Sequence, residues 1–303
     1  MSRLPSAWLF WIPTLIWATT WHAILYQFGP VPTVDSVAYR FGIASLLLLG
    51  WVAATGGSLR FSGREHRALA LTGAVQYGLN YLGVYWAERF IPSGLVALLF
   101  TLMVFGNAAT GTWFFGQRMT RRHLVCAAGG VAGVALVFLP EIAQTGQRPD
   151  AWLGVLAGVG AVLAAIAGNV GTLRVAHAVR ARGVGMAAVL GTSMGWGALL
   201  LGGVVLAGGG PHWDPRPAYL ASLLYLAVLG SGVAFLAYFK LMERVGPARA
   251  SLTSLVVPVV ALGVSAALEG WRPTVLSFAG MALSLASLWG ATRPTAEGAA
   301  RQA

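Results

Sequence analysis

AERFIPSGL at residues 87–95 returns as MERVGPARA at residues 242–250, and this echo decides how the whole chain is read. Glu88, Arg89 and Pro92 recur as Glu243, Arg244 and Pro247 at a constant offset of 155 residues. Each copy is followed by a long apolar run and then a polar corner, FGQRMT at 115–120 and LEGWRPT at 268–274, whose threonines Thr120 and Thr274 lie 154 apart. So long a period belongs to a duplicated half rather than to a solenoid of short units.

Working outward, the runs between charged residues are long enough to cross a bilayer. Hydrophobic residues make up 57% of the chain and charged residues 10%, far below the roughly 25% of soluble domains. Uncharged stretches fill 4–34, 41–59, 68–87, 90–117, 123–140, 151–173, 183–213, 217–239, 250–268 and 273–292. Each holds one spanning helix, because the hydrocarbon core takes about 20 apolar residues. The runs are continuously apolar rather than alternating, which argues against barrel strands. The expected fold is an all-α integral membrane protein of ten transmembrane helices, arranged as two inverted five-helix repeats around a central cavity. The repeats are 1–139 and 151–292, joined by a connecting loop at 140–150 and followed by a disordered tail at 293–303. Five is an odd number, so the second copy enters the membrane from the opposite side, and the two halves supply two alternative packings.

A net charge of +11 raises the question of nucleic acid, and the placement of the basic residues argues against it. With ten spans and a cytoplasmic N-terminus, 15 of the 20 Lys and Arg residues fall on the inside, leaving Arg40, Arg89, Arg148, Arg216 and Arg272 outside. The positive-inside rule thus places both termini in the cytoplasm of a bacterial-type inner membrane. The first apolar run is too long for a signal-peptide core and is expected to stay as span one. The lone Cys126 excludes an intramolecular disulfide. The five histidines are scattered, without metal-ligand spacing, phosphate loop or nucleophile–base pair, so neither enzyme activity nor a cofactor or metal is expected.

Trp17-Ala18, Arg40-Phe41, the two Glu-Arg-x-x-Pro corners and Glu269 before Thr274 resemble the drug/metabolite transporter superfamily, EamA type. The resemblance covers nearly the whole chain, and the aromatic-rich middle is similar to that of aromatic amino-acid exporters. Two departures stand out: Gln117 occupies a position where the family often has Glu, and Met103 aligns with Pro258. The resemblance implies export of small molecules by alternating access.

The polar residues inside the runs are the candidate substrate contacts. Span one offers Trp17, Trp21 and His22, the tryptophans one helical turn apart. His22 reads either as an interfacial histidine or as a protonatable group at the cavity. Span three carries Tyr77, Asn80, Tyr81 and Tyr85, spaced to share one side of a helix, and phenols and an amide at that depth need protein or water. Asn107, Asn169, Trp196, Ser231, Tyr238 and Ser254 complete the set, the serines reading also as packing devices. Gly106, Pro258 and Gly263 are the candidate hinges, Pro258 foremost. No Asp or Glu falls in mid-run, which favours a neutral or zwitterionic substrate and flux without an imposed proton gradient, nearly unchanged when Glu269 is neutralised. Aromatic and other hydrophobic amino acids are the expected small-molecule substrates. The alternatives are a broad drug or metabolite exporter and, behind it, a channel for small neutral solutes. The expected partners are the substrate and the lipid bilayer.

Overall fold

The computed structural model describes residues 5–103, 105–106, 109–110, 121–143, 150–245, 250 and 253–292. Among them there is no strand, and ten helices follow in order. They are α1 (Ser6–Leu25), α2 (Thr33–Ala54), α3 (63–87), α4 (Ser93–Leu99), α5 (Arg121–Ala143), α6 (Ala151–Arg180), α7 (Met186–Ala207), α8 (217–245), α9 (Thr253–Leu268) and α10 (Val275–Thr292). Thr33–Ala54, Ala151–Arg180, Met186–Ala207 and Pro217–Met242 are each long and apolar enough to cross a membrane. Large apolar side chains such as Leu46, Leu71, Leu163, Leu206 and Val275 point outward, as a surface solvated by lipid requires.

The corners follow ordinary helix-end chemistry. Pro32 and Pro92 stand at the N-caps of α2 and α4, where a missing N–H costs nothing. Ser62 and Glu65 form a reciprocal capping box at the start of α3. Gly270, with φ of 71°, turns the chain after α9 in a conformation that a side chain resists.

The helices pack extensively at α5 with α10, α2 with α7, α3 with both α6 and α7, α1 with both α8 and α9, α2 with α8, and α4 with α9. Small residues permit these approaches. A Cβ on Gly73 would lie 2.2 Å from the Ser193 carbonyl oxygen and 2.8 Å from the Gly197 nitrogen, so α3 and α7 meet backbone to backbone. The main apolar core, including Phe41, Tyr77, Leu98 and Leu190, lies between the pairs.

Several boundaries differ from expectation. Helix α5 continues through Pro140 to Ala143, and α6 runs on to Arg180 rather than stopping at the first arginine, since a helix emerging from lipid need not end there. Two helices contain wide-wound segments with i→i+5 bonding, Ala74–Leu79 in α3 and Tyr225–Val233 in α8. Phe100 and Thr101 interrupt the α-helical bonding after α4. There Thr101 N–H and its hydroxyl both donate to the Leu98 carbonyl, at 3.0 and 2.7 Å, and Met103 N–H donates to Phe100.

Candidate functional site

A cavity of about 110 Å³ opens between α1, α2, α3, α4, α6, α8 and α9. It is several times the roughly 10–15 Å³ that one water needs. Its walls are aromatic. Trp17 packs edge-on against Phe235 at 5.4 Å and Tyr238 at 5.1 Å, while its indole N–H donates to the Gly230 carbonyl at 3.1 Å. That carbonyl is available because the wide-wound segment of α8 displaces the usual i→i+4 bonding. Trp21 faces Phe100 at 5.0 Å, beside the interruption after α4.

A polar strip crosses this apolar lining. Asn80 Nδ2 donates to the Gln76 backbone carbonyl at 3.2 Å, one turn back across the wide-wound segment. Gln76 Nε2 donates to Asn169 Oδ1 at 3.4 Å, and Asn169 Nδ2 reaches the Met103 sulfur at 3.6 Å. Arg40 also lines the cavity, although it is only 1% exposed. Its Nε donates to Ser231 Oγ at 3.0 Å and its guanidinium lies 4.5 Å from the centre of the Tyr81 ring. Among the described residues, four buried polar atoms of cavity-lining side chains have no hydrogen-bond partner: Trp21 Nε1, Arg40 Nη1, Gln76 Oε1 and Asn80 Oδ1. Buried polar groups are nearly always satisfied, so these stand out, and of the four Gln76 Oε1 is closed in by α6, where a Cβ on Gly168 would lie 2.0 Å from it.

The expected contacts therefore separate. Trp17, Trp21, Asn80, Tyr81, Asn169, Tyr238 and Pro258 line the cavity. Tyr77 does not: it is fully buried against Phe41 at 4.9 Å and Phe235 at 5.8 Å, and Tyr85 packs on Phe28. Tyr77 and Tyr81 both pack on Phe41, at 4.9 and 4.6 Å, yet only Tyr81 lines the cavity, a difference that a four-residue spacing cannot reveal. Ser231 stands behind Arg40 as its acceptor. Trp196 lies in a separate cluster and donates to His66 Nδ1 at 3.2 Å. Gly106 is packed, since a Cβ there would meet Ile166 at 2.1 Å, whereas Gly263 has open space beside it. Asn107 lies outside the described residues, as does the Ser254 side chain. Arg40, Gln76, Thr101 and Phe100 escaped the sequence reading as contacts. Gln76 carried a usable signal, an amide inside an apolar run four residues before Asn80.

His22 belongs to a seal at one end of the bundle. Glu269 Oε1 accepts from His22 Nδ1 at 3.0 Å and from the Ser93 hydroxyl in a very short bond. Oε2 accepts from the Ser93 N–H at 2.9 Å and Ser265 Oγ at 3.0 Å. Thus one carboxylate ties α1, α4 and α9 together. Around it, Arg89 donates to Thr33 Oγ1 at 2.8 Å and Arg216 to the Phe28 carbonyl at 3.0 Å. The hydrogen bond from Arg216 holds the Asp214 carboxyl below its usual range. Carboxylates at the ends of apolar runs are thus not merely solvated boundary groups: Asp35 and Glu88 are buried too.

The EamA-like transporter family model matches residues 4–139 and again 152–293. A probable terminal-alkyne amino-acid exporter of Streptantibioticus cattleyicolor is 24% identical over 95% of this chain and 93% of its own. A probable amino-acid metabolite efflux pump of Salmonella typhimurium is 28% identical over 72% and 76%. The protein PecM of Dickeya dadantii is 28% identical over 82% and 78%. A known crystal structure shares the fold with a TM-score of 0.69 over 95% of this chain and 96% of that one, at 18% identity. A helix bundle with an apolar exterior and a polar-striped cavity fits the role that the family and two of these names carry, and the chain belongs to the EamA-like transporter family: it is a membrane transporter and not an enzyme.

Proposed function

We propose that the protein exports small zwitterionic metabolites, foremost aromatic and other hydrophobic amino acids, by alternating access of the central cavity. The observation that carries this reading is the cavity itself, with aromatic walls and unsatisfied polar atoms at one place. Trp17, Trp21, Tyr81 and Tyr238 offer faces and edges to a planar apolar side chain, at roughly 0.5–1.5 kcal/mol per good pair beyond area burial. The unpartnered Asn80 Oδ1 accepts from an ammonium group. The names of relatives as amino-acid exporters agree with such a guest.

The mechanism rests on ten spans in two inverted halves, 1–139 and 151–292. Exchange of each helix for the one five places on leaves the pairs α2–α7, α4–α9 and α5–α10 unchanged, and converts α3–α6 into α8–α1, as two related halves require. At the 155-residue offset, Ala74–Leu79 of α3 falls on 229–234, overlapping Tyr225–Val233 of α8. The double match of the family model fits the same division. By the positive-inside rule the Glu269 seal faces outward and both termini lie in the cytoplasm of the inner membrane. Closing the seal while the other end opens would give the inward-facing state.

Purified protein in liposomes, loaded with labelled phenylalanine or tryptophan, should release them saturably with and without a pH gradient. Flux that never saturates would favour a channel, and release of lipophilic drugs with no amino-acid flux would favour the broad exporter.

A further inference from the structure

We propose that Arg40 anchors a carboxylate of the transported solute, so that the cavity selects molecules with a free carboxylate. This rests on the reading of the cavity as the substrate site and names the chemistry which that site demands. Arg40 lies at the eighth position of α2, about 10 Å along the helix from Thr33, and lines the cavity with almost no exposure. Its guanidinium is a planar cationic fork of donors with no acceptor. An ionised group at such a depth is costly unless it is paired.

That pairing is missing. Among the described residues no carboxylate lies within 4 Å of Arg40, and Nη1 has no partner at all. Glu88 attracts Arg40 through space without closing on it, and the Tyr85 hydroxyl also lies beside the guanidinium; the Glu88 oxygens and that hydroxyl have no hydrogen-bond partner. Instead, Ser231 fixes Nε at 3.0 Å, and the rings of Tyr81 and Phe41 hold the guanidinium at 4.5 and 5.3 Å. Held on one edge and one face, the fork presents its remaining edge already oriented, which lowers the ordering cost of binding. Trp21 Nε1, a pure donor without a partner, supplies a second hydrogen bond to an anion. The orphan acceptor Asn80 Oδ1 then suits the opposite pole of a zwitterion.

The test uses matched solutes with one side chain, competing against labelled phenylalanine for wild-type protein in liposomes. Unlabelled phenylalanine and 3-phenylpropionate keep the carboxylate, whereas phenylalaninamide and phenethylamine lack it. Loss of a charge-assisted hydrogen bond should weaken the latter two roughly 10- to 100-fold. Arg40→Gln should abolish the difference between acid and amide, and Arg40→Lys should keep a reduced one, because an ammonium is a point charge without the fork. A structural role alone would lower activity without moving that ratio. If Arg40→Gln does not fold, the wild-type series still decides. Competition by the amide within threefold of phenylalanine would overturn the anchor alone. Absence of phenylalanine transport, with no member of the series competing, would bring down the substrate reading and the anchor with it.

Discussion

Replacing Glu269 by glutamine should unlatch one end of the bundle, and the size of the effect follows from its hydrogen bonds. Four donors converge on this carboxylate: His22 Nδ1, the Ser93 hydroxyl, the Ser93 N–H and Ser265 Oγ. A glutamine has only one acceptor oxygen. With its NH2 at the Oε2 place it would face the Ser93 N–H, which cannot accept. With its NH2 at the Oε1 place it would face His22 and the Ser93 hydroxyl, both able to turn and accept. The second orientation therefore wins, and four charge-assisted bonds become neutral ones. The difference is about 1 kcal/mol per bond, and relaxation with entering water offsets about half, leaving about 2 kcal/mol. If the seal is one state of a two-state gate, its open fraction rises about 30-fold. The assay is labelling of Ala97→Cys, a cavity-lining position near the seal, in a Cys126→Ser background with an impermeant maleimide applied to the Glu269 side. The labelling rate should rise by that factor. A rate within twofold of the parent, in a protein that still binds substrate, would refute the latch.

Asn80→Ala should reduce phenylalanine and tryptophan flux several-fold while thermal unfolding stays near wild type, since among the described residues the Asn80 side chain makes one hydrogen bond. Trp17→Ala should weaken aromatic substrates more than small aliphatic ones, and it also removes the bond to the Gly230 carbonyl; equal losses for both substrate classes would remove Trp17 from the site. Gly73→Ala forces a methyl onto the Ser193 carbonyl at 2.2 Å and should cost about 1–3 kcal/mol, read as a lower Tm in detergent; an unchanged Tm would mean that α3 and α7 are not in such contact. Glu65, ahead of the apolar part of α3, is pulled from 4.5 to about 2, first by the hydrogen bond from Arg182 and then by the Ser62 N–H. A lowered folded value stabilises above the ordinary pKa and is lost as pH falls toward the folded one, so Arg182→Ala should lower Tm at pH 7 but not near pH 2. A Tm difference that persists at pH 2 would show that the pair is not its source.

How far the sequence revealed all this depended on the type of signal. Apolar runs bounded by charges located the helices, because the cost of burying an unpaired charge is large enough to mark most ends. The same rule hid Arg40. Taken as an outside boundary, it lies well inside α2, since the helix begins at Thr33, and a charge facing a cavity looks in sequence like a charge facing water. Trp17, Trp21, Asn80 and Tyr81 were legible as polar or aromatic groups at helical spacing, and they do line one cavity. Tyr77 and Tyr85 were grouped with them by a fixed period, which cannot tell a ring that lines the cavity from one packed on Phe41 or Phe28, and nothing local marks Ala74–Leu79 as π-wound. Glu269 was expected from its place at a run edge to leave flux nearly unchanged when neutralised; its four hydrogen bonds were not legible, because the partners Ser93 and His22 come from 176 and 247 residues away.

The claim that one cavity alternately serves the two sides of the membrane is tested most directly by counterflow. Liposomes containing the purified protein are loaded with unlabelled phenylalanine and placed in dilute labelled phenylalanine, with no pH gradient. A transient accumulation of label above its outside concentration is expected, driven by exchange through the cavity and slowed several-fold in Asn80→Ala. Label that merely equilibrates, at a rate indifferent to the internal amino acid and to Asn80, would contradict that claim.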